Sequence, residues 1–252
     1  LAGGVAPTVY SQPYRPGVYS LVFYNSDGTK LGRIGSDMGD NPVISLEFEL
    51  TETGCGGFSL TLGEAPSFTL DYGTRMDILL FDDVQPWYSG FIIEKPLAGS
   101  TSQTLKYSGH GYVAQLDWIL IDANFADQDI ASVAKSIIRN FVEPKTGILY
   151  RSSKITATGY RARGLSFNQT KASEAIKQLA EFASNYRYGV DAYREFFFKP
   201  ISTDVNEQAR FTVGKHLNEF LPKESIDKLC NRILVKSGQI SEGDNILATV
   251  ED

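Results

Sequence analysis

Cysteine is nearly missing: Cys55 and Cys230 are the only two in 252 residues. They stand far apart in no paired spacing, which excludes a disulfide scaffold and a cysteine-built metal framework. Both read as free thiols, in keeping with assembly in a reducing cytoplasm. Histidine is as scarce, with His110 and His216 alone, and no HExxH, HxH or GxSxG pattern exists. Positive charge is in deficit, 24 Lys and Arg against 30 Asp and Glu, for a net charge of −6. Such a chain is not built to wrap nucleic acid, which needs a basic surface, although DNA can still slide past it. No apolar run approaches the roughly 20 residues of a membrane span. The opening LAGGVAPTVYSQPYRPG lacks the charged start and apolar centre of a signal peptide. It also lacks an initiator methionine, and the sequence stops at NILATVED, so it reads as a piece of a longer chain.

What is present is strand-forming sequence punctuated by turns. Fifteen Phe and 13 Tyr, with many Val, Ile and Thr, are divided by 23 Gly and 10 Pro, a β-leaning composition. VISLEFEL at 43–50 alternates, which predicts Ile44, Leu46, Phe48 and Leu50 on a buried face and Ser45, Glu47 and Glu49 on a wet one. Phe58, Leu60 and Leu62 repeat the period after TGCGG. Further strands are predicted at 18–24, 76–81, 87–94 and 103–109. NSDG at 25–28, FDDVQP at 81–86 and PLAGSTS at 96–102 supply turn chemistry. Six short strands at this spacing predict a small barrel or sandwich.

Near Asp129 the period changes. Ile130, Val133, Ala134, Ile137, Ile138, Phe141 and Val142 fall at helical spacing, with Asp127 or Asp129 as N-cap and Pro144 as stop. A second helix is predicted over about 171–185, with Ala172, Ala175, Ile176, Leu179, Ala180 and Ala183 inward and Thr170 as cap. Both stripes read as core. A hairpin follows, YRYGVDAY and EFFFKP with a turn near Arg194, and Phe196 to Phe198 read as a strand covered on both sides. Strands resume at 210–213, at 231–236 and near the end.

Candidate chemical groups reduce to a few. His110 lies in YSGHG between two glycines, yet it continues the polar series Lys106 and Ser108, so it reads as the wet side of a strand with no partner base nearby. His216 is a weaker candidate. Asp82 and Asp83, Asp37 and Asp40, and Glu47 and Glu49 are the carboxylate pairs; a glycosidase needs two carboxyls about 5 to 10 Å apart around a sugar, one with a raised pKa. These read as solvated turn and strand residues, and the Asp-rich loops lack the Asp-x-Asp-x-Asp-Gly order of a calcium loop. No catalytic residue, cofactor or metal site is therefore expected. Trp87 and Trp118 are the only tryptophans, and a sugar-binding module would present them on a concave face.

Three stretches carry a family resemblance: RMDILLFDDVQPWYSGFIIEKP, TLKYSGHGYVAQLDW and TKASEAIKQLAEFASNYRYGVDAYREFFFKP, with NRILVKSG as a fourth, weaker one. Over residues 17–252 the chain resembles the hub proteins at the tip of phage tails, the family that includes the baseplate hub of contractile phages and the hub part of type VI secretion spikes. The resemblance implies a mostly β fold with an α+β insertion: tail-tube-like β-barrels plus a two-helix α/β segment. It divides the chain into a flexible N-terminal segment (1–16), a first β-barrel or sandwich (17–120), an α/β domain (121–200) and the truncated start of a second barrel (201–252), since too little follows Ile246 to complete one. It further implies a non-enzymatic structural hub, a homotrimeric ring at the virion tail tip or baseplate of a phage or prophage, assembled in the host cytoplasm. Its partners are distal tail or tube proteins and a tip or spike, with DNA only in transit and no membrane insertion. Any cell-wall hydrolase is implied only for a missing C-terminal part. The other reading open to the sequence is a carbohydrate- or receptor-binding β module.

Overall fold

The computed structural model describes residues 19–39, 41–80, 84–97, 104–202, 232–236 and 247–251. The chain divides into two units, Leu1–Ser202 and Thr203–Asp252. The expected features at 1–16, 81–83, Asp40, 210–213, His216 and Cys230 lie outside the described residues.

The first unit opens with β1 (Tyr19–Tyr24), β2 (Lys30–Gly35), β3 (Val43–Thr51), β4 (Gly54–Leu62), β5 (Arg75–Leu80), β6 (Tyr88–Glu94) and β7 (Leu105–Gly111). These pair in the order β2-β1-β5-β6-β7-β4-β3, every ladder antiparallel. The NSDG turn forms as its residues dictate, with Gly28 at φ +88° and its N–H donating to Asn25 O at 3.0 Å. Leu21, Phe23, Leu60, Leu62, Met76, Ile78, Tyr88 and Ile92 converge on one cluster. One sheet face can meet itself in this way only if the sheet curls. Contacts between distant strands agree: Phe48 on β3 lies 5.5 Å from Tyr88 on β6, and the Tyr88 hydroxyl donates to Gly56 O at 2.7 Å. Among the described residues the curl stops short of closure, because β2 pairs only with β1 and β3 only with β4.

β3 corrects the predicted alternation. Leu46 and Phe48 are half-buried, but Ile44 and Leu50 are 60% and 55% exposed. Ile44 is an extra residue between the pairs Val43–Leu62 and Ser45–Thr61, and Gly56 and Gly57 together face the single residue Glu49. Each irregularity resets which side of the sheet the next residue meets, so period two fails at both ends of the strand.

After β7, a 3-10 turn (Tyr112–Trp118) leads into β8 (Leu120–Phe125), β9 (Gln128–Asp129) and α1 (Ile130–Ile137). Asp129 is the cap, its Oδ1 accepting from Ala131 N at 2.8 Å. Ile130, Val133, Ala134, Ile137, Ile138 and Val142 are all buried, as the spacing predicts. The α-helix is shorter than the stripe, because Ile138–Val142 widen into a π turn and Glu143–Lys145 tighten to 3-10. Then come β10 (Arg161–Ala162), β11 (Leu165–Lys171), α2 (Ala172–Phe182), β12 (Tyr186–Val190) and β13 (Phe196–Pro200). Thr170 does not cap α2. The β11 ladder with β8 runs on to Lys171, so the helix starts straight from a strand, and Ala172 N–H donates to Ile119 O at 2.8 Å instead.

The two helices, β8 and the aromatic strand β13 enclose a second core that includes Ile121, Ile176, Leu179, Phe196 and Phe198. Phe91 of β6 joins this cluster while its neighbours Tyr88 and Ile92 belong to the other, so β6 separates the two cores. β12 pairs with β13 along its length and with β4 through the single parallel pair Val190–Gly54. In the second unit, β14 (Arg232–Lys236) and β15 (Leu247–Glu251) form an antiparallel ladder. The architecture is thus mostly β with two short helices.

Asp129 offers a direct test of how this half is held. Beyond the cap it accepts from Thr158 Oγ1 at 3.0 Å and Gly159 N at 2.8 Å, tying the 158–159 loop to the helix start. Burial raises its pKa, but the bonds from Thr158, Ala131 and Gly159 outweigh that and hold the carboxyl below its ordinary value. The stability it contributes is therefore complete above the unfolded value of about 3.9 and is lost as pH falls through the folded one. Asp129→Ala is expected to cost about 2 kcal/mol at neutral pH, and urea titrations of both chains should show the gap narrowing in acid.

Candidate functional site

His110 sits on β7 opposite Gly57 on one side and Phe91 on the other, with its side chain exposed. Lys106 is also exposed, Ser108 is half-buried, and Tyr107, Gly109 and Gly111 are buried, so the strand alternates as its sequence predicts. The flanking glycines have a packing reason. A Cβ on Gly109 would lie 2.0 Å from Phe91 O, and one on Gly111 2.0 Å from Cys55 O. The glycine-bracketed histidine is therefore a strand squeezed between two neighbours and carrying one solvated imidazole. His110→Gln should change stability by less than about 0.5 kcal/mol and leave the fold intact by circular dichroism.

Asp40, Asp82 and Asp83 lie outside the described residues, and the described members of the carboxylate pairs are solvated. Glu47 and Glu49 are exposed on the edge strand β3. Asp37 makes an exposed ion pair with Arg33 at 2.8 Å. Cys55 is buried, and burial pushes its thiol up to about 11, which leaves it an inert core residue. Among the described residues no three His, Cys, Asp or Glu side chains group as metal ligands.

The buried polar groups lie elsewhere, and sequence reasoning passed them over. Asp77 of β5 is 9% exposed; it accepts from Ser89 Oγ at 2.6 Å and from Arg75 Nη2 at 2.9 Å. Burial raises its pKa, opposed by the Ser89 bond and the Arg75 charge. The Arg75 guanidinium also stacks 3.7 Å over the Tyr24 ring. Only the Arg-x-Asp spacing on a strand pointed to this pair, since residues two apart share a face.

Two cavities flank this framework. The first, about 370 Å3, lies where the β3–β4 turn meets β12, β13 and the Ser152–Lys154 turn. Charges of both signs line it: Glu52 and Asp191 against Lys154, Arg187 and Lys199. Lys154 pairs with Asp191 and, at 2.7 Å, with Glu195, which Arg151 also holds at 2.9 Å. This cluster fastens the 152–154 turn to the β12–β13 hairpin. The second cavity, about 290 Å3, is lined by Arg75, Phe91, Tyr112, Gln115, Trp118, Lys145 and Arg194 among others. Its lining carries no carboxylate among the described residues. Gln115 is buried there, with its Oε1 accepting from Gly147 N at 2.7 Å. Trp118, one of the two tryptophans marked in the sequence, is 59% exposed on this concave wall; Trp87 is 44% exposed at the start of β6.

No protein family matches the chain at the sequence level, and no curated protein does. Solved structures do match. A 43 kDa tail protein from a Shewanella oneidensis prophage superposes with a TM-score of 0.58 at 14% identity, over 95% of this chain and 65% of that one. The tail protein from Neisseria meningitidis superposes at 0.60 with 12% identity, over 93% of this chain and 67% of that one. A component of the Escherichia coli type VI secretion system aligns over 71% of this chain at 0.36, a score that carries no argument. This chain spans about two thirds of the length of the two tail proteins. At these identities the likeness establishes a fold shared with prophage tail proteins, the group to which the sequence resemblance points.

Proposed function

From the fold it shares with prophage tail proteins, we propose that this chain is a non-enzymatic structural component of a phage or prophage tail tip: a hub, three copies of which form a ring around the tail axis and join the tube to a distal tip or spike. The observation that carries the reading is the fold likeness over 93–95% of the chain. The sheet supports it, since curled strands with β2 and β3 at unpaired edges among the described residues offer two different surfaces. A ring closes when one surface meets a different one on the next copy. Tube-like barrels, a first domain over 17–120, an α/β domain over 121–200 and a second barrel starting at 201 belong to the same proposal. The location is the virion tail after assembly in the host cytoplasm, with neighbouring tail proteins as partners. The net charge of −6 per copy gives such a ring an acidic wall that does not hold DNA in transit. Imaging of intact particles tests this. Three copies around the axis are expected; single copies on peripheral fibres would end the hub reading.

A further inference from the structure

The two cavities differ in one respect that bears on ligands: in the first the cations meet carboxylates, and in the second two of them do not. Lys145 and Arg194 make no ion pair among the described residues, while Arg75, also in the lining, is neutralised by its pair with Asp77. Lys145 and Arg194 line a cavity with no carboxylate in its wall among the described residues, and Asp77, paired with Arg75 behind that wall, offsets only part of their charge, so the cavity is locally positive in a chain of net charge −6. Like charges gathered around a cavity repel one another, and an anion between them relieves that repulsion.

The backbone at Arg194 adds an independent observation. Arg194 stands at φ +65°, a conformation unusual for any residue but glycine or asparagine. Its N–H donates to Asp191 O at 2.9 Å, and its carbonyl accepts from Leu149 N at 2.7 Å, so the turn is fixed and the side chain is aimed by it. The guanidinium lies 5.6 Å above the Tyr112 ring and 3.5 Å from Gly147 O, at the cavity wall.

The rest of the lining has groups that suit a sugar ring. Trp118 stands edge-on to Phe91 at 5.3 Å and 73° and remains 59% exposed, leaving indole surface free for the C–H face of a ring. Asn25, Ser26, Gln115 and Thr146 supply amides and hydroxyls that suit ring hydroxyls. A volume of about 290 Å3 is at the small end for ligand pockets and suits one ring, not a chain of several. We propose that this cavity binds a carboxylated monosaccharide unit, of the uronic acid class: Lys145 and Arg194 take the carboxylate, Trp118 takes the ring face, and Gln115 takes a hydroxyl. An acidic peptide side chain would use the cations but leave the indole and the amide set idle. The site is separate from the hub reading and stands or falls without it.

NMR titration of the chain, following the Trp118 indole N–H, tests the proposal with three probes: sodium glucuronate, glucose and a triglutamate peptide. Glucuronate is expected to shift the resonance saturably, glucose to bind at least about tenfold more weakly, and added salt to weaken the glucuronate response. Lys145→Ala, followed on the same resonance, and Trp118→Ala, followed by isothermal titration calorimetry, both at exposed positions, should each reduce glucuronate affinity about tenfold with thermal melting unchanged. Equal binding of glucose and glucuronate overturns the proposal, because the cations would then contribute nothing. So does the absence of saturable binding by glucuronate. Tighter binding of triglutamate also overturns it and assigns the cavity to an acidic segment of a protein.

Discussion

Gly54→Ala is expected to cost more than about 4 kcal/mol, at the far end of single-substitution effects, and to leave little soluble folded chain. Gly54 follows the Glu52–Thr53 turn at φ +110°, which an L side chain adopts only under strain. Space is the second obstacle. A Cβ there would lie 1.9 Å from Val190 O, a backbone atom that cannot swing aside as a side-chain tip can. The third is position: Val190–Gly54 is the only pair joining β12 to β4, and Val190 N–H donates to Thr53 O at 2.9 Å beside it. Relieving the clash means shifting the β12–β13 hairpin, which carries Phe196 and Phe198 of the second core, away from β4. Chemical denaturation followed by fluorescence and by far-ultraviolet circular dichroism measures the cost. Gly28→Ala is the control: it has φ +88° but nothing within 4 Å of a Cβ, so it should lose only the strain of the turn, about 1 kcal/mol. Equal losses for the two would show that the seam between β4 and β12 bears no weight.

Both helices are legible in the sequence because Ile130 to Val142 and Ala172 to Ala183 carry their period without interruption. Strands β4 to β7, β12 and β13 are legible from alternation and turns. β2 is not, since KLGRIG has two glycines and only Leu31 and Ile34 to signal burial. β8 and β11 are hidden because their partners are each other, 40 and more residues apart, and their exposed faces dilute the pattern. Edge irregularities in β3 defeat an alternation that looks perfect on paper. The second cavity is the least legible part. Arg75, Gln115, Lys145 and Arg194 come from β5, the 3-10 turn, the end of the α1 extension and the β12–β13 turn, which only the tertiary fold brings together. Of its lining, the sequence flags Trp118 by its rarity, and Asn25, Ser26, Gly28 and Arg194 only as turn positions.

Asp77→Ala is expected to cost about 3 to 5 kcal/mol, the range for removing one partner of a buried ion pair. The reason lies with what remains. Arg75, with its side chain 16% exposed, already has a buried Nε without a hydrogen-bond partner, and Asp77 is its only carboxylate within ion-pair reach among the described residues. Truncation leaves a cation in a poorly solvated place and also frees Ser89 Oγ, itself buried, from its acceptor. Asp77→Asn keeps the shape and an acceptor for Ser89, so it should cost less, about 1 to 2 kcal/mol. Arg75→Met combined with Asp77→Ala should recover most of the loss, because removing both charges removes the desolvation cost along with the attraction. The pH dependence has the opposite sign from that of Asp129. With the folded pKa of Asp77 raised by burial, folding takes up a proton, so its contribution is complete below the unfolded value of about 3.9 and is lost as pH rises through the folded one. Measured against Asp77→Asn, the parent chain should therefore lose stability across that window and hold a constant difference above it. A double-substituted chain as unstable as Asp77→Ala alone would show that packing around the aspartate, and not the stranded arginine, sets the cost.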